Sequence, residues 1–300
     1  MGDRLRWDQE GRDWPQRAWS RFVTVEGLRW HVQVSPARDT TVLLVHGTGA
    51  STHSWRGLAP LLAVNHTVVA VDLPGHGFTA ALPSGEASLR RIAAGLGALL
   101  HQMQVAPQFV VGHSAGAAIL ARMTLDDAID PRALACINGA LLPLPGWSGA
   151  VFPPVAKFLA ANALAARLFA WRATDPAAVR RLVASTGSSL DAAGLDFYAR
   201  LIGSPAHVAG TLQMMAGWDL GALRRDLPRL VVPMLLLVGA NDGTVAPAEA
   251  DRVKRIVAAA RIERLPGLGH LAHEERPAIV ASAIEAFIAA PQASSVQIRK

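Results

Sequence analysis

Ser114 is the residue of this chain whose surroundings point most directly to chemistry. It lies in Gly112-His113-Ser114-Ala115-Gly116, between the apolar run Phe109–Gly112 and the alanine-rich stretch that continues to Leu125. A serine hydroxyl attacks a carbonyl only when it stands clear of the fold, next to a base, with N–H groups aimed at the developing oxyanion. A tight strand-to-helix turn gives that exposure. It also strains the backbone at the serine, so the flanking positions must be glycine or small. Gly-x-Ser-x-Gly is a weak signal by itself, and here it gains weight from the strand–turn–helix context.

The elements needed to position Ser114 can be read on both sides. Arg21–Glu26 and Leu28–Val34 alternate around Gly27 and read as a hairpin. Thr41–Val45 and Thr67–Val71 read as buried strands, the first ending in His46-Gly47-Thr48-Gly49 and the second in Asp72-Leu73-Pro74-Gly75-His76-Gly77. His53–Leu62, Leu89–Met103 and Ala115–Leu125 read as helices, and Phe109–Gly112 and Ala133–Ile137 as strands. Strands alternating with helices predict an α/β fold with a mostly parallel central sheet covered on both faces. From Leu142 to about Trp218 the chain is alanine-rich and poor in strand signal. The alternation then resumes with a strand at Pro233–Val238, a helix at Ala248–Ala259, a strand at Arg261–Leu265 and a helix at Pro277–Ala289. The expected organisation is an N-terminal arm (1–20), a core (21–141 and 219–290), an inserted helical segment (142–218) and a polar tail (291–300).

With these elements in order, the chain resembles an α/β-hydrolase with a helical cap over roughly residues 21 to 290. The resemblance implies a triad in the order Ser, acid, His. Ser114 matches the nucleophile. Asp242, in Gly239-Ala240-Asn241-Asp242-Gly243, matches the acid loop, and His270, in Pro266-Gly267-Leu268-Gly269-His270, matches the histidine loop. All three fall just past strand ends, where sites assemble in open α/β sheets. The resemblance places the oxyanion hole at the N–H groups of Thr48 and Ala115, and the dipole of the helix that Ala115 opens adds to the field. Read alone, Asp242 in Asn-Asp-Gly is a turn residue and Ser114 a helix N-cap. His273 is a rival base that a helical turn would aim elsewhere, and Asn138, an amide, cannot replace the acid. His46 and His113 flank the site as structural or pocket-lining residues. Phe158, Phe169, Trp171 and Trp218 are candidate pocket residues of the insertion. Serine at position 114 argues against the dehalogenases and epoxide hydrolases of this fold, which use aspartate there.

Composition narrows the remaining classes. Apolar residues make up 51% and charged residues 17% of the 300 residues, enough for a sizeable core. The net charge of +6 is almost all arginine and is scattered, whereas a nucleic-acid binder would concentrate it, so no nucleic-acid partner is expected. Cys136 is the only cysteine and reads as a core residue. The histidines lack metal-ligand spacing, and no phosphate-cradling loop is present, so no metal and no cofactor is expected. Val151–Trp171 is interrupted by Pro153, Pro154, Lys157 and Arg167, which argues against a spanning helix. The polar start of the chain lacks an apolar signal region, and the expected location is the cytoplasm.

Three further stretches carry a closer resemblance: Gly27–Val34, His46–Arg56 and Asn138–Pro143, with Met214–Leu220 in the insertion. They resemble the α/β-hydrolases associated with magnesium chelatase in photosynthetic bacteria. That resemblance implies a place in bacteriochlorophyll synthesis near the insertion of Mg²⁺ into protoporphyrin IX, with magnesium chelatase subunits as partners and a porphyrin or its ester as ligand. Two readings follow. One is a serine hydrolase acting on an ester-like bond of an apolar substrate. The other is a porphyrin-binding, chelatase-assisting protein whose triad is incidental. A general carboxylesterase or C–C bond hydrolase is a third.

Overall fold

The computed structural model describes residues 4–82, 87–143 and 175–290. Its strands form one sheet: β1 (Ser20–Val25), β2 (Leu28–Val34), β3 (Thr41–Val45), β4 (Thr67–Val71), β5 (Phe109–His113), β6 (Ala133–Ile137), β7 (Met234–Gly239) and β8 (Ala260–Leu265). The spatial order is β1-β2-β4-β3-β5-β6-β7-β8. The β1–β2 and β2–β4 pairings are antiparallel, and every pairing from β4 to β8 is parallel. The mostly parallel α/β sheet expected from the alternation is the one found. Strands buried on both faces need continuous apolar runs, and β3, β5, β6 and β7 have them.

The period-two rule divides these strands between two cores. Leu43 and Val45 face one side with Leu134, Cys136 and Leu236. Val42 and Leu44 face the other with Ala135, Ile137, Leu235 and Leu237. The first face is covered by α2 (Leu89–Gln102), α3 (Ala115–Leu125), α7 (Gly221–Asp226) and α8 (Glu249–Ile256), through residues such as Leu96, Ile119, Leu223 and Val253. The second is covered by α1 (Leu58–Leu62), the short α9 (Ala272–Glu275) and α10 (Pro277–Ala289), through Leu58, Leu62, Ala272, Ile284 and Phe287.

The helix expected over His53–Leu62 is broken. Thr52–Trp55 form a 3₁₀ turn, and α1 starts only at Leu58. At Gly57 between them, an added Cβ would stand 2.8 Å from Cγ of Pro277. The missing side chain lets the chain pass close to the start of α10.

Between β6 and β7 the described chain is helical: α4 (Pro176–Ser185), α5 (Ala192–Ile202) and α6 (Pro205–Ala216), followed by α7. Each start of α4, α5 and α6 is written in the sequence. Asp175, Asp191 and Ser204 cap with their side chains, and Pro176 and Pro205 follow their caps directly. α6 lies so close to the 75–77 loop that a Cβ at Gly75 would meet Cα of Gly210 at 2.8 Å. Among the described residues no helix is long and apolar enough to cross a membrane.

The segment before β1 is pinned by tryptophans. Trp7 packs edge-on against Phe22 and Phe78, at 5.5 and 4.9 Å between ring centres. Trp14 is buried between Phe78 of the body and Phe197 of α5, and its indole N–H donates to Thr52 Oγ1 at 3.1 Å. Arg200 of α5 pairs with Asp13. Trp14→Ala opens a cavity at a junction of three segments and is expected to cost about 3–5 kcal/mol. A urea titration followed by circular dichroism should show the midpoint fall by the corresponding amount, whereas a segment merely draped on the surface would leave it in place.

Candidate active site

Ser114 sits between β5 and α3 with φ 49° and ψ −117°, a conformation that L-residues rarely adopt. Two glycines make the turn possible. A Cβ at Gly112 would run into the backbone of Ala117, and one at Gly116 would run into the carbonyl of Val45. The turn is tied to the neighbouring strand. The Ser114 N–H donates to the Ile137 carbonyl at 3.0 Å, and the Ser114 carbonyl accepts from Ala140 N–H at 3.0 Å. The loop after β3 closes on the serine from the other side, where a Cβ at Gly47 would stand 2.9 Å from that of Ser114. Among the described residues, the N–H groups of Thr48 and Ala115 donate to no protein acceptor. Two backbone donors beside Ser114 are thus left for something else.

Asp242 and His270 meet. His270 Nδ1–H donates to Asp242 Oδ2 at 2.8 Å, with both residues buried. The other carboxylate oxygen accepts the N–H groups of Thr244 and Val245, at 2.7 and 2.9 Å. The carboxylate is therefore oriented by its own turn, and the bond to Nδ1 leaves Nε2 as the free, accepting nitrogen. Among the described residues no hydrogen bond joins Ser114 to His270.

The His270 backbone is held from several sides. Its carbonyl accepts from Asn138 Nδ2 at 2.8 Å and from His113 Nε2–H at 2.9 Å. Asn138 also donates to the Gly269 carbonyl at 2.9 Å, and its own oxygen accepts Gly239 N–H at 2.8 Å. Asn138 thus ties the end of β7 to the histidine loop. Sequence reasoning noticed its position at the end of a strand and missed this role, which depends on loops more than a hundred residues away.

The description of the alpha/beta hydrolase family matches residues 42–283. The chain belongs to that family. It is 38% identical over 263 residues to the magnesium-chelatase 30 kDa subunit of Rhodobacter capsulatus, an overlap of 87% of this chain and 92% of that protein. It is 31% identical over 251 residues to a pimeloyl-acyl-carrier-protein methyl ester esterase of Methylococcus capsulatus, covering 80% of this chain and 92% of the relative. A solved α/β-hydrolase fold protein from Burkholderia ambifaria superposes with a TM-score of 0.75 at 24% identity, over 89% of this chain and 97% of that one. A likeness at that identity speaks to the fold alone.

Within this α/β-hydrolase, the histidines around the site serve the frame. His46, read from the sequence as structural or pocket-lining, is fully buried. Its Nδ1–H donates to Gly47 O at 2.8 Å and its Nε2 accepts Leu73 N–H at 2.9 Å, so neither nitrogen is left for a ligand. His113 is also buried and engaged as described. His273, the rival base, lies wholly buried between Trp55 and His113, at 4.7 and 4.5 Å between rings. His207 of α6 bridges two loops: its Nδ1 accepts Gly77 N–H at 3.0 Å and its Nε2–H donates to Gly49 O at 3.1 Å. Trp218 packs against the main core. Phe158, Phe169 and Trp171 lie outside the described residues.

A second Ser–His–Asp chain also occurs. Ser20 Oγ contacts His31 Nε2 at 3.0 Å, and His31 Nδ1–H donates to Asp72 at 2.7 Å. Ser20 has ordinary extended backbone, and Trp7 and Phe22 close over the His31 ring. Asp72 also accepts the N–H groups of Thr52 and Phe78, at 2.7 and 2.9 Å. Burial opposes its ionisation, yet the adjacent His31 and the Phe78 N–H hold its carboxyl well below the usual range. This chain is part of the fold's internal bracing.

Burial depresses the pKa values of six histidines. It lowers His46, takes His53, His76 and His113 well below the usual value, and takes His207 to about 4 and His273 to about 3. Glu274 opposes them, since burial raises its carboxyl to about 8 and it holds a proton when folded. Below about pH 6.5 the unfolded chain takes up protons that the folded chain refuses, so stability falls as pH falls. Each proton of difference steepens that fall by about 1.4 kcal/mol per pH unit, against a typical total stability of about 5–15 kcal/mol. Thermal melts from pH 7.5 to 5 should show a steep loss of melting temperature beginning near 6.5, and a flat profile to pH 5 would contradict neutral burial.

Proposed function

We propose that this chain is a serine hydrolase that cleaves an ester-like bond of an apolar substrate, and that it works beside magnesium chelatase in bacteriochlorophyll synthesis. The observation that carries the chemistry is the 2.8 Å contact between Asp242 and His270 in a fold whose strained elbow presents Ser114. In this reading His270 Nε2 takes the Ser114 proton as the hydroxyl attacks the carbonyl carbon. The C=O pair moves onto oxygen, and the N–H groups of Thr48 and Ala115 receive it. Collapse breaks the bond to the leaving alcohol, which takes the proton from His270. Water then repeats the sequence on the acyl-serine. Asp242 keeps the imidazole in the accepting tautomer and stabilises the imidazolium. The serine–histidine hydrogen bond forms on substrate engagement, as is common where it is loose without ligand.

The pathway assignment is supported by 38% identity to the magnesium-chelatase 30 kDa subunit, and the ester class by the methyl ester esterase relative. A porphyrin or porphyrin ester suits both. The same similarity to a chelatase subunit favours a second reading, in which the protein binds a porphyrin and assists the chelatase without chemistry.

A serine-directed fluorophosphonate separates the two. Intact mass should show one adduct on the wild type and none on Ser114→Ala. An unmodified wild type in the presence of measurable protoporphyrin affinity would select the binding reading. Asp242→Asn provides an independent check. Its amide oxygen keeps the Thr244 and Val245 N–H groups, so its NH₂ faces His270 and forces the wrong tautomer. The rate on p-nitrophenyl acetate should fall by about 10⁴ with the circular dichroism unchanged, and near-normal activity would mean that another acid serves.

A further inference from the structure

We propose that the turn Thr186–Gly187–Ser188, which joins α4 to α5, is a positioning part of the catalytic apparatus. It holds the acid loop and the histidine loop in one frame. The proposal rests on the serine-hydrolase reading above.

The argument starts at the end of α4. A helix leaves its last carbonyls without intrahelical partners. α4 ends at Ser185 with Thr186 as its cap, and Gly187 follows at φ 77°, the left-handed position where glycine closes a helix. The exposed Thr186 carbonyl then accepts two N–H groups, from Gly243 and from His270, each at 3.1 Å. A carbonyl has two lone pairs and can accept both. One donor is the residue after the catalytic acid, and the other is the catalytic histidine itself. Two residues on, the buried Ser188 Oγ accepts Leu271 N–H at 2.8 Å. Glu275 adds a clasp, accepting Gly269 N–H at 2.8 Å and Ser189 N–H at 3.3 Å.

The three segments meet backbone to backbone, with a glycine from each. A Cβ at Gly187 would overlap the Asn241 carbonyl, one at Gly269 would overlap Gly187, and one at Gly243 would stand 2.7 Å from the Ser185 carbonyl. No side chain intervenes to absorb a shift, so displacing the turn displaces both loops. Asn138 and His113 hold the His270 carbonyl from the sheet side, while the turn holds its N–H from the opposite side. Thr186 and Ser188 touch none of the reacting atoms. They act through His270 and Asp242 and are positioning residues.

The test uses Ser188→Ala, which deletes the acceptor for Leu271 N–H, Ser188→Thr, which restores an Oγ, and Gly187→Ala, which pushes the turn off both loops. Ser185→Ala, whose hydroxyl serves only the end of α4, is the control. Two quantities are read: the rate of phosphonylation of Ser114 by a fluorophosphonate, and the downfield proton resonance of His270 Nδ1–H. A displacement of about 1 Å typically costs 10²-fold. The rate should fall roughly 10- to 100-fold in Ser188→Ala and further in Gly187→Ala. The resonance should shift or broaden in both, Ser188→Thr should recover most of the loss, and Ser185→Ala should match the wild type. A wild type that reacts, with Ser188→Ala and Gly187→Ala reacting equally fast and keeping the resonance, overturns the proposal. An inert wild type whose resonance moves in the variants overturns instead the serine-hydrolase reading on which it rests.

Discussion

The fit of a serine in a forbidden backbone conformation between two glycines is the constraint on which the rest depends. Holding Ser114 at positive φ costs of order 1–3 kcal/mol, and the surroundings must over-determine it. They do so with carbonyl and N–H contacts to the end of β6 and the loop after it, and with the near-contact of Gly47. Relaxing the turn would require moving β3, β5, β6 and the start of α3 together. Because α3 is buried on nearly every side and packs on α2, that motion has nowhere to go. Packed interiors do not deform smoothly, and the elbow inherits their stiffness.

The stiffness is shared around the site by groups that do no chemistry. Asn138, His113, His46 and His207 each spend hydrogen bonds on backbone groups of the loops that surround Ser114. Imidazole suits this use. One ring nitrogen donates and the other accepts, so a neutral histidine can bridge a carbonyl and an N–H across a gap too wide for serine. The arrangement requires the ring to stay uncharged, and burial ensures it.

Much of the frame was legible in the chain itself. Ala115–Leu125, Ala133–Ile137 and Thr67–Val71 have the bounds that their apolar runs indicate, because a helix or strand buried on nearly every side leaves little choice. The mostly parallel sheet followed from the alternation of strands and helices, and the α/β-hydrolase family from the motif order. The close approach of Gly57 to Pro277, more than two hundred residues away, was not legible. Nor were the tasks of His46 and Asn138. A polar residue near a reactive serine reads as a ligand contact unless its partners are known, and those partners are backbone atoms with no signature in the sequence. The candidate triad was legible as positions, while the bracing that orients it was not.

Asn138 has one more consequence. It stands at the end of β6, and the acid of the candidate triad stands at the end of the neighbouring β7. Its NH₂ donates to two carbonyls, Gly269 and His270, while its oxygen accepts from Gly239. An aspartate there would set a carboxylate against both carbonyls and withdraw the amide donor from each, leaving the His270 carbonyl only the His113 N–H. The acid therefore cannot migrate from one strand to the next by a single exchange. Placing the carboxylate on β6 would loosen the very loop that carries the histidine, so the amide fixes on which strand the acid can stand.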